Sequence, residues 1–138
     1  MSEANKQLAR RWFEEVWNQK SEAAIDAMYH PQGRAYGLPD AGSVLVGPEE
    51  FKKFHRAQVG AFPDLHFELK DVIAEGDRVA IRWTATMTHR GDQLGFAASG
   101  KSATLEGSSF LVIREGKIFE GWNQMEMQGL LQYLRGGA

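Results

Sequence analysis

The chain has 138 residues, 43% of them hydrophobic and 25% charged, with a formal net charge of −2. That length fits one domain spanning residues 1–138, large enough to bury a core without cross-links. The two signs of charge are interspersed, which speaks against a nucleic-acid surface, since that needs a basic stripe, and the absence of cysteine excludes disulfide and thiol chemistry.

The opening MSEANKQLARRW has no apolar stretch of the kind a secretory leader carries. No apolar run approaches the roughly 20 residues of a membrane span. A cytoplasmic protein is therefore expected. Leu8, Trp12, Phe13 and Val16 recur at helical spacing, with Ser2 placed to cap the helix and Asn18-Gln19-Lys20 ending it. Ser21 caps a shorter second helix carrying Ile25, Met28 and Tyr29, which His30-Pro31 stops. Brief strands are expected over residues 34–38 and 43–46, around a turn at Pro39-Asp40-Ala41-Gly42. Gly47-Pro48 opens a third helix whose Phe51, Phe54, His55, Gln58, Val59 and Phe62 share a face.

After Pro63 the period changes from 3.6 to 2. Residues 65–74 form a strand with an irregularity near Lys70-Asp71, and residues 78–89 alternate cleanly through Val79, Ile81, Trp83, Ala85 and Met87. A glycine-bearing loop spans 90–101. Strands at 102–113 and 118–126 follow, joined by a turn at Glu115-Gly116, and a short helical turn holding Leu130, Leu131 and Leu134 closes the chain. Helices followed by an antiparallel meander make an α+β domain. Around Phe110 to Ile113 both strand faces are apolar, so one faces the core and the other is a candidate homodimer contact.

Several ordered pieces resemble the SnoaL-like polyketide cyclase and ester cyclase family, within the nuclear transport factor 2 and ketosteroid isomerase fold group. They are Phe62-Pro63-Asp64-Leu65-His66, the run from Ile73 to Trp83, Thr88-His89-Arg90-Gly91, Gly116-Lys117-Ile118, Trp122 and Gly129-Leu130-Leu131, together with the opening helix from Asn5 to Asn18. The resemblance implies a cone-shaped barrel. Its N-terminal helices pack in the concave face of a curved, mainly antiparallel sheet, around a pocket for a small, mostly apolar organic ligand. It also implies dimers, and an intramolecular aldol closure without cofactor or metal. Such chemistry needs a carboxyl group of raised pKa and donors aimed at an enolate oxygen.

Many relatives carry a Trp-Asp pair on the last strand and a second Asp three residues on. Here those places hold Trp122, Asn123 and Glu126. Asn123 donates hydrogen bonds but transfers no proton. Glu126 is the first candidate acid/base and Glu120 the second, with Arg82 and His66 as candidate partners for an anion or a proton. For each of these side chains a solvated or paired surface role stands as the other reading. Trp12, Phe13, Tyr36, Phe54, Phe62 and Trp122 are the candidate pocket wall. The four histidines show no metal-ligand spacing, so neither metal nor cofactor is expected. Two suitable aspartates for epoxide hydrolysis are lacking in the sheet. Two readings remain open: a cofactor-free cyclase or isomerase acting on an apolar carbonyl compound, and a non-catalytic binding or interaction domain.

Overall fold

The computed structural model describes residues 2–38 and 42–136. Most of the turn expected at Pro39-Asp40-Ala41-Gly42 lies outside them. α1 runs over Ser2–Arg11 and passes without a break into a π-helical segment, Trp12–Asn18. The wider turn is visible in the bond from Gln19 N–H to the Glu14 carbonyl at 2.8 Å. Trp12, Phe13, Val16 and Trp17 of this segment are buried in the core. The Ser2 hydroxyl does not cap α1. It accepts from Gly76 N–H at 3.2 Å and ties the helix to a hairpin turn.

α2 spans Glu22–Met28, and its cap is the expected one: Ser21 Oγ accepts from Ala24 N–H at 3.2 Å. β1, Tyr29–Tyr36, begins five residues earlier than the sequence pattern suggests and runs through Pro31. It can do so because the ladder is irregular between Tyr29 and Arg34, where a missing N–H costs no bond. β2 is Val44–Val46, and α3 is Gly47–Ala61 with Pro48 in its first turn.

The meander follows as expected: β3 His66–Glu75, β4 Arg78–Thr88, β5 Ser102–Arg114 and β6 Lys117–Met125, then α4 at Met127–Leu134. Among the described residues the sheet has six strands in the order β2-β1-β6-β5-β4-β3. β3 to β6 pair antiparallel, whereas β1 lies parallel to β6. The sheet is curved and unclosed, and the helices fill its concave side.

Two bulges govern which residues face the helices. In β3 the ladder shifts between Leu69 and Asp71, so Phe67 and Leu69 hand the inner face on to Val72 and Ala74. In β6 Ile113 pairs with Ile118 but Val112 pairs with Glu120. The inserted residue, Phe119, moves the inner face from Ile118 to Gly121, Asn123 and Met125.

The centre of the core is aromatic. Trp12, Tyr29 and Phe51 form one cluster, and Phe67 packs edge-on against Trp83 with centroids 4.8 Å apart. Each such ring contributes roughly 1.5–3 kcal/mol by leaving water. His55 sits among them, 2% exposed, and its Nε2 lies 2.7 Å from the Val16 carbonyl. That contact makes Nε2 the donor. Burial pushes the His55 pKa down, with the Val16 bond, Glu22, Lys20 and Arg56 as smaller influences.

A lowered histidine pKa means that the unfolded chain takes up the proton first. Stability from this residue is therefore complete above the ordinary histidine value of about 6.5 and falls as pH drops below it. Urea midpoints at pH 7.5 and 5.5 should show this loss, and the difference should be smaller in His55→Gln, which has no imidazole to protonate.

Candidate functional site

Between the helices and the concave sheet lies a cavity with about 70 Å³ of free volume. On the same measure a single water needs roughly 10–15 Å³. The π-helical segment supplies Trp12, Phe13 and Trp17, α3 supplies Phe51, Phe54 and Gln58, and α4 supplies Met127 and Leu130. Met87, Met125 and Met127 share the wall, and their unbranched thioethers repack readily, so the space can grow around a ligand. A broader surface depression borders the cavity and shares Phe54, Gln58, Met125 and Met127 with it.

Three polar side chains form a directed relay at the sheet side. Trp83 Nε1–H donates to Ser109 Oγ at 3.1 Å, and Ser109 O–H donates to Asn123 Oδ1 at 2.8 Å. Asn123 Nδ2 then donates to the Tyr36 carbonyl at 3.0 Å. Each link fixes the direction of the next, so the Asn123 amide has one orientation. One of its two N–H groups is engaged by Tyr36, and the other has no protein partner among the described residues. Gly107, two residues before Ser109 on β5, makes room for the Trp83 ring. A Cβ there would stand 2.5 Å from the Trp83 ring.

Among the described residues no carboxylate, lysine, arginine or histidine lines the cavity. Of the candidate residues, Trp12, Phe13, Phe54 and Asn123 meet there. The others are elsewhere. Trp122, 39% exposed, stands on the outer face beside Phe110 and stacks on Tyr36 with centroids 5.3 Å apart. Glu120 shares that outer side. The Phe119 bulge is the reason: without it, plain alternation from the buried Ile118 would turn Glu120 and Trp122 inward. Arg82 is also outside, paired with Asp71 at 2.7 Å. His66 is exposed on β3, on a shallow surface with Arg10, Glu14 and Glu68. Phe62 is buried 5.8 Å from the His89 ring, away from the cavity lining. Glu126 precedes α4 and lines the bordering depression, not the cavity.

Sequence reading missed Gln58 and Ser109 as cavity residues. Gln58 was placed on the correct face of α3, so the signal was an amide on an otherwise aromatic stripe. Ser109 left no comparable mark. His89 is wholly buried. Its Nδ1 accepts from Ser99 N–H at 3.0 Å, which pins the far end of the loop that follows β4.

The SnoaL-like polyketide cyclase family matches residues 7–134, and the chain belongs to that family. Among solved structures, AclR from Streptomyces galilaeus, described as a candidate hydroxylase, is 29% identical with a TM-score of 0.83, over 99% of this chain and 83% of its own. A candidate polyketide cyclase from Acidithiobacillus ferrooxidans is 26% identical with a TM-score of 0.79, over 98% and 96%. A SnoaL-like candidate cyclase from Jannaschia sp. CCS1 has a TM-score of 0.89 over 100% and 96%, and at 18% identity it shows the fold alone. No curated protein matches the chain in sequence. No helix among the described residues is long and apolar enough to cross a membrane.

The relay explains why asparagine suits position 123. A carboxylate there would face the Tyr36 carbonyl without a proton to share. Asn123→Asp should therefore carry a carboxyl whose folded pKa is raised above the ordinary value of about 3.9. A raised carboxyl pKa means stability that is present at low pH and lost as pH rises. Thermal midpoints of this variant relative to the parent should be closest near pH 4 and furthest apart at pH 8.

Proposed function

We propose that the chain acts as one cytoplasmic domain that holds a small, mostly apolar carbonyl compound in its cavity. The ligand oxygen accepts the free N–H of Asn123. The observation that carries this reading is the amide fixed by Ser109 and Tyr36 on an otherwise apolar wall. Apolar lining with a few placed polar groups is the general character of small-molecule sites. A preorganised donor in a dry cavity polarises a carbonyl and favours its enolate. Cavity residues alone provide that polarisation but no base.

The test is calorimetric titration of the purified protein with 1-tetralone. Asn123→Ala should weaken binding by roughly 2- to 12-fold, the worth of a net hydrogen bond of about 0.5–1.5 kcal/mol. Equal affinity in both proteins would count against the assignment.

A second reading is cofactor-free proton transfer of the cyclase or isomerase type. Two observations favour it: family membership, and the Glu126 carboxylate, which has no ion pair or hydrogen bond among the described residues and lies between Met125 and Met127, both on the cavity wall. A ligand reaching from Asn123 to the bordering depression would bring an α-proton to Glu126. Exchange of the α-protons of 1-tetralone in deuterated buffer, followed by proton NMR, measures this directly. Glu126→Gln should reduce exchange ~100-fold or more with binding and thermal midpoint unchanged. No exchange above buffer by the parent protein would leave the binding reading alone.

The partner proposed for the outer sheet face is a second copy of the chain. Ile73 at 67%, Phe110 at 38% and Trp122 at 39% exposure form an apolar area there, which a monomer has little reason to keep. Light scattering should give twice the 15.4 kDa chain mass, and Trp122→Glu should return the mass to that of the monomer.

A further inference from the structure

Gln58 is 8% exposed and lines both the cavity and the bordering depression. Its side-chain amide has no partner among the described residues. Elsewhere on the wall the polar side chains are engaged. Tyr29 O–H donates to the Leu45 carbonyl at 3.3 Å, and Trp83, Ser109 and Asn123 belong to the relay. Among the described residues the fully enclosed unpartnered side-chain atoms are His55 Nδ1 and His89 Nε2, so the Gln58 amide is not sealed off but opens onto the cavity and the depression. Leucine or methionine at position 58 would extend the apolar face begun by Phe51 and Phe54. The amide presents a donor and an acceptor side by side, which matches a hydroxyl, itself donor and acceptor, better than a bare ketone. With no cationic or anionic side chain on the described wall, an ionised ligand would lose its hydration and find no counter-charge.

We propose that Gln58 is a specificity-determining residue which, together with Asn123, selects neutral ligands carrying two oxygen functions, a hydroxy-ketone held at one end by each amide. This rests on the reading that the cavity holds a carbonyl compound. The ketone sits at the sheet side on Asn123. The hydroxyl lies toward the bordering depression, where it satisfies the amide that the fold leaves open. The ligand hydroxyl thus takes the place that water can hold at the Gln58 amide.

The experiment titrates the full chain with 1-tetralone, with 5-, 6- and 7-hydroxy-1-tetralone, and with the anion 1-naphthoate. At least one hydroxylated tetralone should bind the parent roughly 2- to 12-fold tighter than 1-tetralone, the range for one net hydrogen bond, and 1-naphthoate should not bind measurably. Gln58→Leu should lose the hydroxyl advantage, its affinity for the hydroxylated tetralones falling to its affinity for 1-tetralone, and should melt at or above the parent's midpoint without ligand. A merely structural glutamine would instead give a lower midpoint and weaken every ligand alike, which would overturn the proposal. So would a hydroxyl advantage that survives Gln58→Leu, or tight binding of 1-naphthoate. If 1-tetralone binds and no hydroxylated form binds better, this inference fails alone. If no tetralone binds, the carbonyl reading of the cavity fails with it.

Discussion

Ile113 of β5 faces Ile118 of β6, while Val112 faces Glu120, so the ladder passes over Phe119. Side chains alternate along a strand, and one extra residue therefore exchanges the two faces of everything that follows. Beyond Phe119 the inner face holds Gly121, Asn123 and Met125, and the outer face holds Glu120, Trp122 and Gln124. The chemistry of the cavity depends on that exchange. It gives the interior a small residue, an amide and a thioether in place of a carboxylate, an indole and a second amide. Gly121 leaves room where a Cβ would come within 3.2 Å of Leu111. Asn123 can then reach both Ser109 on β5 and the Tyr36 carbonyl on β1.

The same bulge marks where sequence reading stops. Periodicity located the meander because half-buried antiparallel strands alternate and their hairpins use residues such as Glu115 and Gly116, both at positive φ. It located α3 because proline and glycine punctuate both ends. It also flagged Lys70-Asp71, where alternation visibly breaks. At Phe119 nothing breaks: Ile118, Phe119, Glu120 and Gly121 give no fixed pattern from which to infer a slip. The candidate site inherited this ambiguity: Glu120 as a candidate acid/base and Trp122 as a candidate pocket wall both presuppose the inner face, and the bulge places them on the outer one. β1 was hard for a different reason. Pro31 and Gly33 depress strand propensity, and what keeps the segment extended is its pairing with residues about 85 positions away.

Cavity and core are continuous in this protein. Tyr29 illustrates the consequence: burial pushes its phenol pKa well up, and its hydroxyl is spent on the Leu45 carbonyl. Charged groups are kept to the exterior, where Arg82 meets Asp71 and Arg56 meets Glu22. Exposed pairs of that kind add little to stability. The fold is therefore held mainly by its aromatic interior, and the few polar groups admitted to that interior are fixed by one another. Preorganisation of Asn123 follows from this arrangement, because rotating its amide would set Oδ1 against the Tyr36 carbonyl and leave the Ser109 O–H without its acceptor.

The parallel pairing of β1 with β6 joins the first third of the chain to its last strand. Closing so long a loop carries an entropic cost that only late contacts repay. During synthesis the helices and the β3–β4 hairpin can form while the chain is still emerging. The wall containing Asn123, and the Tyr36 carbonyl that orients it, cannot meet until β6 has left the ribosome. The half-made protein would expose its aromatic concave surface until then, and β6 is the element that ends that exposure.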